Sequence, residues 1–196
     1  MTQTGDGHGN VPVVTEDASA DFVELFADRL PDGAVALGER IGPWEAVQTA
    51  VYESAPTKLC HGDVRADNLM FGDSASGREH VGILDWQITY LSGGIGDICY
   101  LTTQSLIVDD WRAHERELVD IWFDAVCSAL GAPAEDYSAE QAWTDDRSAT
   151  GNMTVYGVVT GGGLDPSNER GLELVTDVAC RSFVAALDLD AARFIP

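Results

Sequence analysis

The chain has 196 residues, 45% of them hydrophobic, which is enough to bury one core and points to a single domain. Its 33 acidic residues against 11 basic ones give a net charge of −22, which argues against a nucleic-acid partner because like charges would meet across the interface. No run is long and apolar enough to cross a bilayer, and the opening MTQTGDGHGN lacks the basic start and apolar stretch of a signal peptide, so no membrane partner is expected.

The acidic residues are scattered along the chain and read as a solvated surface, although they would also suit a cationic substrate. Cys60, Cys99, Cys127 and Cys180 are far apart in sequence and form no metal-binding pattern. Free thiols in a reducing compartment are the expectation, and with it a cytoplasmic location.

In chain order, residues 1–16 carry no hydrophobic periodicity and read as disordered. From Asp17 a helix is predicted, with Phe22, Leu25, Phe26 and Leu30 on one face and Pro31-Asp32-Gly33 as its stop. A second helix is predicted over 38–54, ended by Pro56. A short apolar strand then ends at Cys60 and gives way to a polar loop, His61-Gly62-Asp63-Val64-Arg65-Ala66-Asp67-Asn68. Apolar residues return at 69–71, a Gly/Asp/Ser turn follows, and a second apolar run closes at Asp85-Trp86. This pattern predicts a β-hairpin with residues 69–71 antiparallel to 82–84. That register sets Asn68 and Asp85 side by side, with Asp63 on the loop beside them. Hard oxygen donors gathered in this way suit Mg²⁺, which takes few protein ligands and completes its shell with water and phosphate oxygens.

Residues 87–96 are glycine-containing and read as irregular, and Asp97 opens the next helix. Three long helices are predicted to follow. The first covers about 110–130, with a stripe of Trp111, Leu118, Ile121, Trp122, Ala125 and Ala129. The second starts at a capping box, Ser138 with Gln141 reaching back, and runs to about residue 159. Gly161-Gly162-Gly163 is read as a helix-helix turn and not as a phosphate loop, because no strand precedes it and no Lys lies in it. The third opens at Asp165-Pro166 and buries Leu172, Val175, Val178, Ala179, Phe183 and Leu187.

The run HGDVRADN, followed by an apolar strand and ILDW, resembles the catalytic block of the small-molecule branch of the protein-kinase-like fold. That branch includes the aminoglycoside phosphotransferases, the choline kinases and the ecdysteroid-kinase-like (CHK kinase-like) proteins. The five-residue offset from Asp63 to Asn68 matches it. The resemblance implies an α+β, mostly helical fold: a kinase-like C-terminal lobe with a small β-hairpin on a helical bundle, over 17–196. It implies ATP as co-substrate and Mg²⁺ as cofactor. Asp63 would accept the proton of a substrate hydroxyl, and Asn68 and Asp85 would bind the metal that bridges the ATP phosphates. Arg65 would touch the transferred phosphate, and His61, within the same catalytic set, would hold the loop. Asp97 would support the loop from below. The small hydroxylated substrate would lie between the loop and the late helices, with Trp143-Thr144-Asp145-Asp146 read as a solvated helix face.

The resemblance also sets an expectation about what precedes the loop. The nucleotide-binding N-terminal lobe of a kinase is not recognisable in the first 60 residues, and Lys58, the one Lys of the chain, lies too close to the loop to be that lobe's strand lysine. Weak Mg-ATP binding and slow turnover are therefore expected. So is an exposed face where such a lobe would sit, open to self-association. A truncated, non-catalytic binding module is the alternative. A metal-dependent hydrolase would want further ligands, and His8, His80 and His114 show no ligand spacing with the loop.

Overall fold

The computed structural model describes residues 16–41, 58–73, 79–130 and 137–194. Of the segment 1–16 expected to be disordered, residues 1–15 lie outside these residues and Glu16 opens a helix, while the later part of the predicted 38–54 helix also lies outside them. Within them the fold is α+β and mostly helical, with two small antiparallel sheets, as the sequence implied.

Helix α1 (Glu16–Phe26) passes through a 3-10 turn (Ala27–Arg29) to α2 (Ala34–Ile41). The loop block contains β1 (Lys58–Cys60), a 3-10 turn (Ala66–Asn68), β2 (Leu69–Asp73), β3 (Glu79–Ile83) and β4 (Tyr90–Ser92). Four helices follow: α3 (Ile95–Ser105), α4 (Val108–Leu130), α5 (Ala139–Gly162) and α6 (Glu169–Asp188), before a last 3-10 turn (Ala191–Phe194). No helix among the described residues is long and apolar enough to cross a membrane.

Helix α5 is the axle. It packs against α1, α3, α4 and α6, so its buried residues lie all round it rather than in a stripe. That explains why so many of them are small or polar: Ala142, Ser148, Thr150, Gly151, Asn152, Thr154 and Gly157 are all buried. Two apolar clusters form on opposite sides of it. One joins Phe22, Phe26, Leu37, Val155, Val158, Val175 and Phe183 from α1, α2, α5 and α6. The other joins Ile95, Cys99, Val119, Ala149 and Met153 from α3, α4 and α5.

Several sequence expectations are corrected here. Helix α5 continues through Gly161 to Gly162 instead of breaking. Gly161 is there because α1 crosses so closely: a Cβ at this position would lie 2.6 Å from Phe22 Cδ2 and 2.9 Å from Phe26 Cε2. Helix α6 starts later than Asp165-Pro166. Its cap is Asn168, whose side chain accepts the Gly171 N–H at 3.0 Å, while Asp165 closes its own small turn onto Ser167 N at 2.9 Å. Ser138 does cap α5, taking the Gln141 N–H at 3.1 Å, but the Gln141 amide turns forward to Asp145 at 2.8 Å. On α4, Ile121 is 58% exposed and Val119 holds the core position. Asp145 and Asp146, read as solvated, are buried.

The segment read as irregular contains β4, which pairs with β1 in the register Lys58↔Ser92, Leu59↔Leu91, Cys60↔Tyr90. The hairpin forms as predicted, but one residue out of the expected register. Leu69 pairs with Ile83 and Met70 with Gly82. Side chains of the hairpin and its flanks remain exposed, Phe71 at 76% being the extreme.

Candidate active site

Strand β1 buries Cys60 and delivers the chain into a tight loop. Gly62 makes the turn at φ 86°, and a Cβ on it would come within 2.9 Å of both the Ile88 carbonyl oxygen and the Tyr90 ring. Both facts demand glycine here. The backbone is then gripped from below by Asp97, in the first turn of α3. Its carboxylate accepts the His61 N–H at 2.7 Å and the Gly62 N–H at 2.9 Å. At the far end of the same helix, Ser105 Oγ accepts the Ala66 N–H at 2.8 Å. Helix α3 thus holds both halves of the loop, and Asp97 fills the supporting role the resemblance implied.

His61 is buried and ties the loop to the end of β3. Its Nε2 donates to the Leu84 carbonyl at 2.7 Å, and its Nδ1 accepts the Asp63 N–H at 3.2 Å. A carbonyl can only accept, so the ring hydrogen sits on Nε2. Trp86 packs edge-on against the ring, with centroids 4.7 Å apart. His61 therefore orients the backbone of Asp63.

Asp63 and Asn68 are joined directly. The Asn68 amide donates to the Asp63 carbonyl at 2.7 Å and to Asp63 Oδ2 at 3.1 Å. With its nitrogen engaged there, Asn68 leaves Oδ1 to accept or coordinate on the other side. Arg65 Nε lies 3.6 Å from Asp63 Oδ1 and 3.9 Å from Asp67 Oδ2. His61, Asp63, Arg65 and Asn68 thus form one contiguous set.

Asp85 stands one step further out than expected. Leu84 N donates to the Asn68 carbonyl at 2.9 Å, so Leu84 is the residue opposite Asn68, and Asp85 follows it. The ladder ends because Asp85 takes a left-handed conformation, φ 62°, which turns the chain out of the strand. Asp85 is exposed, and among the described residues Gln87 Nε2, at 3.5 Å, is what hydrogen-bonds to its carboxylate. Among the described residues no three His, Cys, Asp or Glu side chains gather as a metal cage. An amide oxygen and one carboxylate fit instead the sparse protein shell of Mg²⁺.

The sequence reading passed over Tyr100. It lies three residues beyond Asp97 on α3. Burial pushes the phenol's ionisation well up, and the Asp63 charge pushes it further. Its ring meets Tyr156 of α5 edge-on at 5.3 Å. The signal was present in Asp97-Ile98-Cys99-Tyr100, since residues three apart share a helix face. Lys58, by contrast, plays no part in the site: its Nζ lies over the Trp122 ring at 4.6 Å.

The model of the ecdysteroid kinase-like family matches residues 45–132. The stretch similar to that family takes in the loop, the hairpin and helices α3 and α4, so every residue of the candidate site falls inside it. Among solved structures, an ethanolamine kinase of Plasmodium vivax is similar at 14% identity and a TM-score of 0.47, over 86% of this chain. This chain spans 47% of the length of that kinase. A comparison with curated proteins found no match.

Proposed function

We propose that the chain carries the phosphoryl-transfer site of an ATP-dependent phosphotransferase that acts on a hydroxyl group of a small molecule. The observation that supports this reading best is the pairing of Asp63 with Asn68 by two hydrogen bonds, inside a stretch that the kinase-like family model matches.

Asp63 accepts the proton of the acceptor hydroxyl. The oxygen so activated bonds to the γ-phosphorus, the bond from that phosphorus to the bridging oxygen breaks, and ADP leaves with the electron pair. His61 and Asp97 hold the loop backbone so that the Asp63 carboxylate needs no reorganisation at that moment. Asn68 Oδ1 and Asp85 would hold Mg²⁺, which neutralises charge on the ATP phosphates when bound. Arg65 exchanges its contacts with Asp63 and Asp67 for the transferred phosphate; at 3.6 and 3.9 Å these contacts are loose enough to yield.

The test is transfer of labelled γ-phosphate from Mg-ATP to a panel of hydroxylated small molecules, with wild type beside Asp63→Asn. Loss of a general base lowers turnover by roughly 10²–10⁴-fold. A wild type that phosphorylates no acceptor, or an Asp63→Asn variant as fast as wild type, rejects the proposal.

A second reading, a binding module, draws support from a separate observation. Leu59, Phe71, Leu84, Trp86, Ile88 and Leu91 are all exposed around the loop. A surface of this kind favours association. Self-association through it predicts a mass in light scattering that rises with concentration, and a constant monomer mass rejects it.

A further inference from the structure

We propose that a small cavity beneath the loop is a binding site for one ordered water molecule. The water bridges Asn152 of α5 and the Asp97 carboxylate of α3, and so ties the support of the loop to the central helix. The site does not depend on the phosphotransferase reading. Its walls come from the loop, β4, α3 and α5, through Gly62, Ser92, Asp97 and Asn152 among others.

Asn152 is the residue that asks for an occupant. It is 6% exposed, lies in the middle of α5, and its Oδ1 is buried with no hydrogen-bond partner among the described residues. Asparagine suits a helix interior poorly. An amide oxygen taken out of water and given no donor in return weakens a fold. Ala149 and Met153, from the same helix, line the same cavity and belong to the second apolar cluster. An apolar residue at 152 would extend that cluster, whereas the asparagine brings an acceptor to the cavity wall.

The size and chemistry of the space fit water. The cavity offers about 20 Å³. One water needs roughly 10–15 Å³, so the space takes a single molecule and excludes a metabolite. A buried water keeps its place with roughly two to four polar partners. Asp97 supplies the second after Asn152. Its oxygens each accept one loop N–H, from Gly62 at 2.9 Å and from His61 at 2.7 Å, and a carboxylate has lone pairs left for a further donor. With one hydrogen given to Asn152 Oδ1 and one to Asp97, the water has both donors engaged. The buried Ser92 hydroxyl on the same wall can donate to its oxygen. Water both donates and accepts, which suits a wall that mixes acceptors with a hydroxyl. The bridge carries the rigidity of the packed α5 to the carboxylate that grips the loop.

A crystal structure of the full chain that shows ordered solvent is the first test. Density for one water within hydrogen-bonding distance of both Asn152 Oδ1 and an Asp97 oxygen is expected. An empty cavity, a water that touches only one of the two, or a cation revealed by anomalous scattering after a rubidium soak overturns the proposal. Asn152→Leu tests the bridge in solution. Replacing an orphaned oxygen by an apolar group of similar shape leaves a protein as stable as before or more so. Losing a bridge loosens what the bridge held. Hydrogen exchange at His61 and Gly62 is therefore expected to be roughly tenfold faster in Asn152→Leu, since a water bridge holds nearly as well as a direct bond, while α6 keeps its protection. Unchanged exchange at these two amides, with a raised melting temperature, overturns the proposal. Where the variant does not fold, the solvent density in wild type decides.

Discussion

Glu115 on α4 and Asp146 on α5 face one another in the interior, 4% and 0% exposed, with no cation between them. The arginines nearest in sequence are committed elsewhere: Arg112 to Asp188 at 2.6 Å, Arg116 to Asp120 and Glu140, and Arg147 to the Leu189 carbonyl. As two carboxylates the pair would have no donor between them, and both Asp146 oxygens would be buried without a partner, the Trp111 indole acting on Glu115 alone. A proton on Glu115 supplies the donor. Burial is the main cause, raising Glu115 to about 10 and Asp146 to about 7, and the Asp146 charge adds to the rise at Glu115. Among the described residues, Asp188 from α6, Asp145 from α5, the Cys99 thiol from α3 and the Tyr137 phenol are the other titratable groups that act on the pair, and none offers positive charge.

This arrangement predicts a protein that weakens in alkali. Both folded values lie above the ordinary carboxyl range of the unfolded chain, so the native state binds more protons. Its stability then falls as pH rises from the ordinary carboxyl range, about 4, up to the folded values of about 7 and about 10, and levels off above them. In thermal unfolding the protein should be less stable at pH 9 than at pH 6 by the equivalent of up to about 4 kcal/mol, since one extra proton held over this interval is worth about 1.4 kcal/mol per pH unit. Glu115→Gln carries its donor without needing a proton, and its stability should change less over the same interval. Equal melting temperatures for wild type at both pH values would refute the shared proton.

Gly161→Ala is predicted to cost more than an ordinary surface change, although helix propensity alone favours alanine. The added methyl would lie 2.6 Å from Phe22 and 2.9 Å from Phe26, two rings stacked 4.9 Å apart in the larger cluster. Neither ring can withdraw without disturbing Phe183, 6.2 Å from Phe22. Overpacking of this kind costs about 1–3 kcal/mol, and in a chain of this size that is a drop of several degrees in Tm. A variant as stable as wild type would mean that α1 sits further from α5.

The loop and hairpin were legible in the sequence because their signals are local. HGDVRADN is a polar break between two apolar runs, and a loop followed by a hairpin forms there. What depended on distant packing was not legible. Asp145-Asp146 looks like a solvated pair until α4 is laid against it. Gly161-Gly162-Gly163 looks like a break until α1 is seen to need the space. The hairpin register came out one residue from the expected one because two short apolar runs fit together in more than one pairing. Tyr100 was missed for a different reason. An aromatic residue in an apolar helix reads as core, and its ring does pack there against Tyr156, while its phenol feels the Asp63 charge.

Gly62→Ala should disable the loop without unfolding the helices. At φ 86° a side chain is strained, and here it would also meet the Ile88 carbonyl oxygen, a backbone atom that cannot rotate away. The loop would have to shift off β4, moving His61 and Asp63 together. Loss of phosphoryl transfer to the level of Asp63→Asn, with far-ultraviolet circular dichroism unchanged, is the expected result. Transfer at the wild-type rate would show that the turn tolerates a methyl group.

Asp97→Asn separates loop order from global stability. The carboxylate accepts two backbone N–H groups, His61 at 2.7 Å and Gly62 at 2.9 Å, and each bond is strengthened by its charge. An asparagine offers one oxygen, and its amide would face the second N–H donor to donor. Leaving that donor unmet costs about 1–3 kcal/mol locally. Neither apolar cluster includes Asp97, so the helices keep their packing. Hydrogen exchange should therefore be faster at His61 and Gly62, by at least tenfold for about 1.4 kcal/mol, while the amides of α5 keep their protection. Equal loss of protection in the loop and in α5 would show that Asp97 holds the whole fold and not the loop alone.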